Sequence, residues 1–389
     1  MKTRAAVLYD TSKPRPYEES LPLVIEEIEI DPPGAGEVLV EMAGAGLCHS
    51  DLSVINGSIM RPNLRKYGGE TIREPLPVVM GHEASGIVRE VGAGVTDFKP
   101  DDHVVFSFVP MCGRCEFCIA GKPALCKVGG KSNLSGTLIN GSVRFRHTTN
   151  GKPVLHYLGV AGFSQYTVAA QESLVKITNE IELDKAALFG CAIVTGVGAV
   201  INTAKLVPGS SAAIFGLGGV GLSAVMGAKL AGANPIIAID PVISKFELAR
   251  QLGADYTLSP EDSDPIKAIR ELTGGGADYA FAAVGSAKVL AQAYDSTKRG
   301  GTTISIGMPH SEQQLIIPAY TLTYQEKILQ GSFMGSAIPS RDIPRLIDLY
   351  MKGKLPVDLL LSEHIILDNI NAGFDKLAQG TTVRQMVFF

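Results

Sequence analysis

The apolar positions of this chain change rhythm along its length. Residues 212–215, "AAIF", form a short run with no polar position, the pattern of a strand covered on both faces. After a glycine turn, "LSAVMGAKLAG" reads as a helix and "PIIAID" as a second short apolar strand. "KFELARQLGADYTLS", "GADYAFAAVG" and "GGTTISIGMP" continue the alternation, which predicts helices and parallel strands in a doubly wound α/β sheet. "TGGGADY" reads as a connection into the strand "DYAFAAVG" and is given no chemistry. Nearer the N-terminus the rhythm differs: "GEVLVEMAGAG" and "DHVVFSFVP" are short β-prone stretches set off by Gly and Pro, predicting an irregular, mostly β domain. No run reaches the ~18 apolar residues of a membrane span. The opening "MKTRAAVLYD" is too short in apolar residues for a signal-peptide core.

The glycine turn carries chemistry. Gly216, Gly218 and Gly221 fall in G-x-G-x-x-G spacing around Gly219 and Val220, after an apolar strand and before a helix. The first glycine permits the tight turn, the second lets backbone approach a pyrophosphate, and the third lets helix pack on strand. The next strand ends in Asp240, where an acidic side chain would take the adenosine ribose hydroxyls. Its charge would repel a 2′-phosphate, so the expected dinucleotide is NAD rather than NADP.

At 389 residues the chain is long for one domain, and its formal net charge of −4 without a Lys/Arg block gives no pull toward nucleic acid or an anionic membrane. The expected setting is cytoplasmic, where disulfides are rare and clustered cysteines are more often ligands. Of six cysteines, Cys112, Cys115, Cys118 and Cys126 lie within fifteen consecutive positions, spaced C-x2-C-x2-C-x7-C. Four thiolates close a tetrahedral zinc site with no open position, a structural role; an iron–sulfur cluster is the rival reading. Cys48 and Cys191 stand apart, and His82 in "VMGHEASGIV" could be an ordinary core histidine. Two thiolates and an imidazole also match a catalytic zinc with its fourth position open, although sequence distance does not show that these three meet.

"GLCHSD", "GHEASGIV", the four-cysteine lobe, "GFSQYTV", "GCAIVTGVGAV", "FGLGGVGL" and "INAGFDKL" occur in one order, and in that order the chain resembles the zinc-dependent medium-chain alcohol dehydrogenases of the long type. The resemblance runs from about residue 5 to 389. It implies a mostly β, GroES-like catalytic domain from residues 1–192 and 335–389 around an inserted Rossmann domain at 193–334, with the cofactor in the cleft. It also implies two zinc ions per chain, the catalytic one on Cys48, His82 and Cys191, with Glu83 behind the metal and Asp51 holding the His82 ring. Lewis-acid polarisation of an alcohol oxygen and hydride transfer to NAD would follow, with Ser50 taking the hydroxyl proton. By the same correspondence His49, Thr195, Lys245 and Arg384 join the glycines and Asp240 as cofactor contacts, Arg384 near the pyrophosphate.

Ile59, Phe108, Tyr157, Leu158 and Met308 would line an apolar, narrow pocket suited to a primary aliphatic or aromatic alcohol or its aldehyde. A glutathione-dependent formaldehyde dehydrogenase is the alternative, its basic and acidic contacts not being found here, and a non-catalytic relative of the fold is disfavoured by the complete ligand set. A homodimer is implied, a tetramer being the other option. Two departures stand out. Ser53 occupies the position of a relay histidine and does not titrate near neutral pH. "RPNLRKYGGETIREP", between Ile59 and His82, is a polar extension that would reshape the substrate entrance or cover an outer face.

Overall fold

The strand Lys2–Leu8 alternates exposed and buried residues at its start, and it pairs antiparallel with Leu23–Ile30. Together with Phe145–His147, Pro153–His156 and Val78–Val79 these strands close a small barrel filled by Ala5, Val7, Ile28, Phe145 and Val154. The structure is a computed structural model that describes residues 1–58 and 76–389, so Ile59 and the extension at 61–75 lie outside the described residues. Contacts divide the chain into two units: Met1–Cys191 with Ile338–Met351 and Leu361–Phe389, and Ala192–Ala337 with Lys352–Leu360.

The first unit also holds a seven-stranded sheet, and its register positions the site. Glu37–Gly46 lies between Glu83–Val91 and Arg384–Phe388, with Gly46 opposite both Glu83 and Met386. Cys48 therefore leaves one strand just past the point where His82 enters the next, with Arg384 opening the third. Only glycine suits position 46, because a Cβ there would run into the Glu83 carboxylate.

The second unit is a six-stranded parallel sheet in the spatial order Tyr256–Leu258, Ile236–Ile239, Ala212–Phe215, Ala277–Ala282, Thr297–Ser305, Ile328–Gly331. Numbered along the chain, that order is 3-2-1-4-5-6, the Rossmann arrangement. Ala212–Phe215 and Ile236–Ile239 are buried at every position, as their uninterrupted apolar runs require. The helix Gly219–Leu230 is apolar nearly all round and almost wholly buried. The α/β class and the mostly β partner domain are both as the sequence pattern indicates. No single helix among the described residues is long and apolar enough to cross a membrane.

Candidate functional site

Cys48 ends an extended segment and serves as N-cap of the helix His49–Ile55. Asp51, in the first turn, accepts the Cys48 N–H on Oδ2 at 3.2 Å and faces His82 Nδ1 with Oδ1 at 3.1 Å. One buried carboxylate thus closes the helix start and fixes the histidine ring, leaving Nε2 to point the other way. His82 Nε2 lies 3.4 Å from Cys191 Sγ, and the ligand atoms of Cys48, His82 and Cys191 all lie within 4.8 Å of one another, all three residues buried. A tetrahedral zinc with ordinary Zn–S and Zn–N bonds sets S···N edges at about 3.5 Å, so the donor set fits the ion.

The electrostatics agree with that fit. The hydrogen bond from Cys191, then the charges of Arg384 and His82, hold the Cys48 thiol well below its usual range against the opposing effect of burial. The same bond and burial push Cys191 well above it. Burial lowers the affinity of His82 for a proton, but Asp51 and Cys48 outweigh it and raise the histidine well above its ordinary value. Burial raises Asp51. These groups compete for protons at a point where a divalent cation would satisfy all three donors together. Arg384 is buried, donates from Nη1 to the Leu47 carbonyl at 3.0 Å and stands 3.4 Å from Glu83 Oε1 through Nε. Its positive charge sits beside the two cysteines.

Around this cluster Phe108 and Tyr157 meet the His82 ring edge-on, with centroids 5.6 and 5.7 Å away. Leu158 follows Tyr157 in a left-handed backbone conformation, φ 52°. Ser50 Oγ is 3.8 Å from Cys48 Sγ, and both Ser50 and His49 are exposed. Ser53 is partly buried one turn further along, its carbonyl accepting the Ser58 hydroxyl.

The four-cysteine lobe is also built for a metal. Sulfur separations are 3.6 Å for Cys115–Cys118, 3.9 Å for Cys115–Cys126 and 4.0 Å for Cys112–Cys118. A tetrahedron with Zn–S bonds of ordinary length has edges of about 3.8 Å. An iron–sulfur cluster puts its thiolates on separate irons and much farther apart, so the rival reading does not fit. Backbone N–H groups of Cys112 and Gly129 donate to Cys126 Sγ, each at 3.4 Å, and that of Cys115 to Cys112 Sγ at 3.3 Å, which favours thiolate charge. Cys115 is drawn down to about 6, chiefly by the Cys118 backbone N–H, whereas burial pushes Cys118 up to about 12.

In the second unit Gly216 has φ 95°, and a Cβ on Gly221 would strike the Gly216 carbonyl. Gly218 differs: a Cβ there meets nothing of the protein within 4 Å. That open space borders the N-terminus of the 12-residue helix Gly219–Leu230, whose N-cap offers no side chain, and it suits a pyrophosphate. Asp240 accepts the Leu217 N–H at 2.7 Å and the Val242 N–H at 2.8 Å, with Lys245 Nζ 3.7 Å away. Each carboxylate oxygen retains capacity for a further donor. Thr195 is buried in the helix Ala192–Gly198, and Met308 is 60% exposed.

Residues 34–179 match the alcohol dehydrogenase GroES-like domain and 219–352 the zinc-binding dehydrogenase family. Over 390 aligned positions the chain is 38% identical to S-(hydroxymethyl)glutathione dehydrogenase of Escherichia coli O6:H1, covering 100% of both chains. The chain belongs to the zinc-dependent medium-chain alcohol dehydrogenase family. Among solved structures, an alcohol dehydrogenase zinc-binding domain protein from Burkholderia ambifaria superposes with TM-score 0.90 at 34% identity, over 100% of this chain and 99% of that one. Benzyl alcohol dehydrogenase from Acinetobacter calcoaceticus gives 0.89 at 32% identity, again over 100% and 99%. As an oxidoreductase of this family, the chain binds zinc and a nicotinamide dinucleotide.

Two features escape a reading of the sequence. The register that sets Arg384 against Glu83 and the cysteines depends on pairing between strands whose partners, such as Gly46 and Met386, are 340 positions apart, and no local pattern encodes it. Asn133, in the polar stretch "KSNLSG", gives no sign in sequence that it reaches the Phe108 carbonyl.

Proposed function

We infer that this chain catalyses the reversible, NAD-linked oxidation of a primary aliphatic or aromatic alcohol to its aldehyde. The observation that carries the reading is the convergence of Cys48 Sγ, His82 Nε2 and Cys191 Sγ in a buried cluster. Three protein donors leave one tetrahedral position for substrate. Zinc held there supplies Lewis-acid polarisation of the alcohol oxygen, and NAD accepts the hydride.

The chain's own residues do the rest. Asp51 orients His82 and keeps Nε2 free to donate electron density to the metal. Phe108 and Tyr157 present apolar edges beside His82, favouring an apolar alcohol and keeping water out. Ser50 Oγ, at the exposed side of the cluster, accepts the hydroxyl proton while releasing its own toward the nicotinamide ribose or water. Cys112, Cys115, Cys118 and Cys126 would hold a second zinc, which would fasten the lobe without taking part in the reaction. Gly218 and the helix start receive the pyrophosphate, and Asp240 takes the ribose hydroxyls and opposes the 2′-phosphate of NADP. Cysteines serving as ligands suit a cytoplasmic setting, and a homodimer is the expected assembly, with a tetramer as the alternative.

A second reading, S-(hydroxymethyl)glutathione as substrate, is favoured by the 38% identity to the Escherichia coli enzyme of that name. A substrate panel separates the two. Simple primary alcohols should be oxidised without glutathione, and NAD should exceed NADP by at least about tenfold in kcat/KM. Activity with formaldehyde only when glutathione is present would favour the second reading. A preference for NADP would remove the role given to Asp240.

A further inference from the structure

The helix Lys127–Ser135 links the four-cysteine lobe to the walls around His82. At its start Cys126 Sγ accepts the Gly129 N–H at 3.4 Å. In its last turn Asn133 is buried, and its Nδ2 donates to the Phe108 carbonyl at 2.7 Å. Backbone bonds hold the flanks of that loop, from Ser107 N–H to the Ser173 carbonyl at 2.8 Å and from Met111 N–H to the Glu172 carbonyl at 3.2 Å. Between them the Phe108 carbonyl is oriented by Asn133.

The other side of the same amide meets the turn Tyr157–Gly159, against which the helix packs. A Cβ on Gly159 would lie only 3.9 Å from Asn133 Oδ1. One side chain therefore holds the backbone of the segment carrying Phe108 and lies close to the segment carrying Tyr157. Charge plays no part in this contact, which acts through a neutral hydrogen bond and packing.

We propose that Asn133 is a positioning residue that sets the spacing of Phe108 and Tyr157 and so decides how large an alcohol fits beside His82. The proposal rests on the reading of Cys48, His82 and Cys191 as an alcohol-oxidising site. Removing the amide takes the 2.7 Å Asn133 bond from the buried Phe108 carbonyl, and the loop that this bond positions shifts. The ring follows its backbone, and bulky substrates lose their fit before small ones do.

The test is a double-mutant cycle on the zinc-loaded full chain, reading the ratio of kcat/KM for benzyl alcohol to that for ethanol. Asn133→Ala should lower this ratio about tenfold, mainly through KM for benzyl alcohol, with zinc content unchanged. In a Phe108→Ala background the same substitution should change the ratio by less than about twofold, because the ring it positions is gone. A residue that only supports the fold would lower the melting temperature and leave the ratio unmoved, or shift it equally in both backgrounds; either result overturns the proposal. Should Asn133→Ala fail to fold, Asn133→Ser takes its place in the cycle. A wild type that oxidises no alcohol would sink the functional reading instead, and calorimetric titration with benzyl alcohol would then make the same four-way comparison.

Discussion

Asp51 shows how much one side chain can settle at the residue scale, since its two oxygens hold the Cys48 N–H and the His82 ring separately. Asp51→Ala should release both, and we expect zinc to be lost to a chelator at roughly 10- to 100-fold lower chelator concentration than in the wild type. Unchanged zinc retention would mean that the ring needs no such partner. His156 matters in another way. It is fully buried, stacks on Phe145 at 4.5 Å and accepts the Arg144 N–H on Nε2 at 3.1 Å. Burial holds its pKa down at about 3, with the Glu37 charge opposing and that of Arg144 assisting. As pH falls below ~6.5 the unfolded chain takes up a proton that the folded one refuses, so stability drops progressively toward pH 3. By pH 5 this amounts to about 2 kcal/mol. Urea unfolding at pH 7 and pH 5 should show that extra loss in the wild type and not in His156→Gln; equal losses in both would refute the assignment. Among residues, cysteine spacing and the glycine fingerprint were legible in sequence because each is local. The burial of His156 and the reach of Asn133 were not, because each depends on partners brought close only by folding.

Among elements, the parallel sheet was readable because its strands are buried on both faces, so "AAIF" and "PIIAID" carry no polar interruption. The barrel was less so. Phe145–His147 and Pro153–His156 are short and mix buried with accessible positions, and Val78–Val79 closes the barrel with two residues, below any periodic signal. The turn before the helix Gly219–Leu230 separates folding from binding within one element. Gly221→Ala places a methyl against the Gly216 carbonyl and should cost about 1 to 3 kcal/mol, seen as a lower melting temperature. Gly218→Ala meets no protein atom within 4 Å, so the fold should be unaffected while dinucleotide affinity falls about tenfold or more. Calorimetric unfolding and cofactor titration of the two variants check this, and the opposite pattern would reassign the two glycines.

For the whole molecule, the chain combines two ligand clusters of different design in its first unit and a dinucleotide fold in its second. The four-cysteine cluster announces itself in sequence by density alone. Cys48, His82 and Cys191 are scattered over 144 positions, and only the completed sheet, with Gly46 set against Glu83, brings the first two into line. That second cluster is the centre of the account, and metal content measured together with turnover tests it most directly. The wild type should carry two zinc ions per chain and oxidise a primary alcohol with NAD. Cys48→Ala should carry one, keep its folded spectrum and lose turnover. Retention of two zinc ions, or of alcohol oxidation with one, by Cys48→Ala would contradict it.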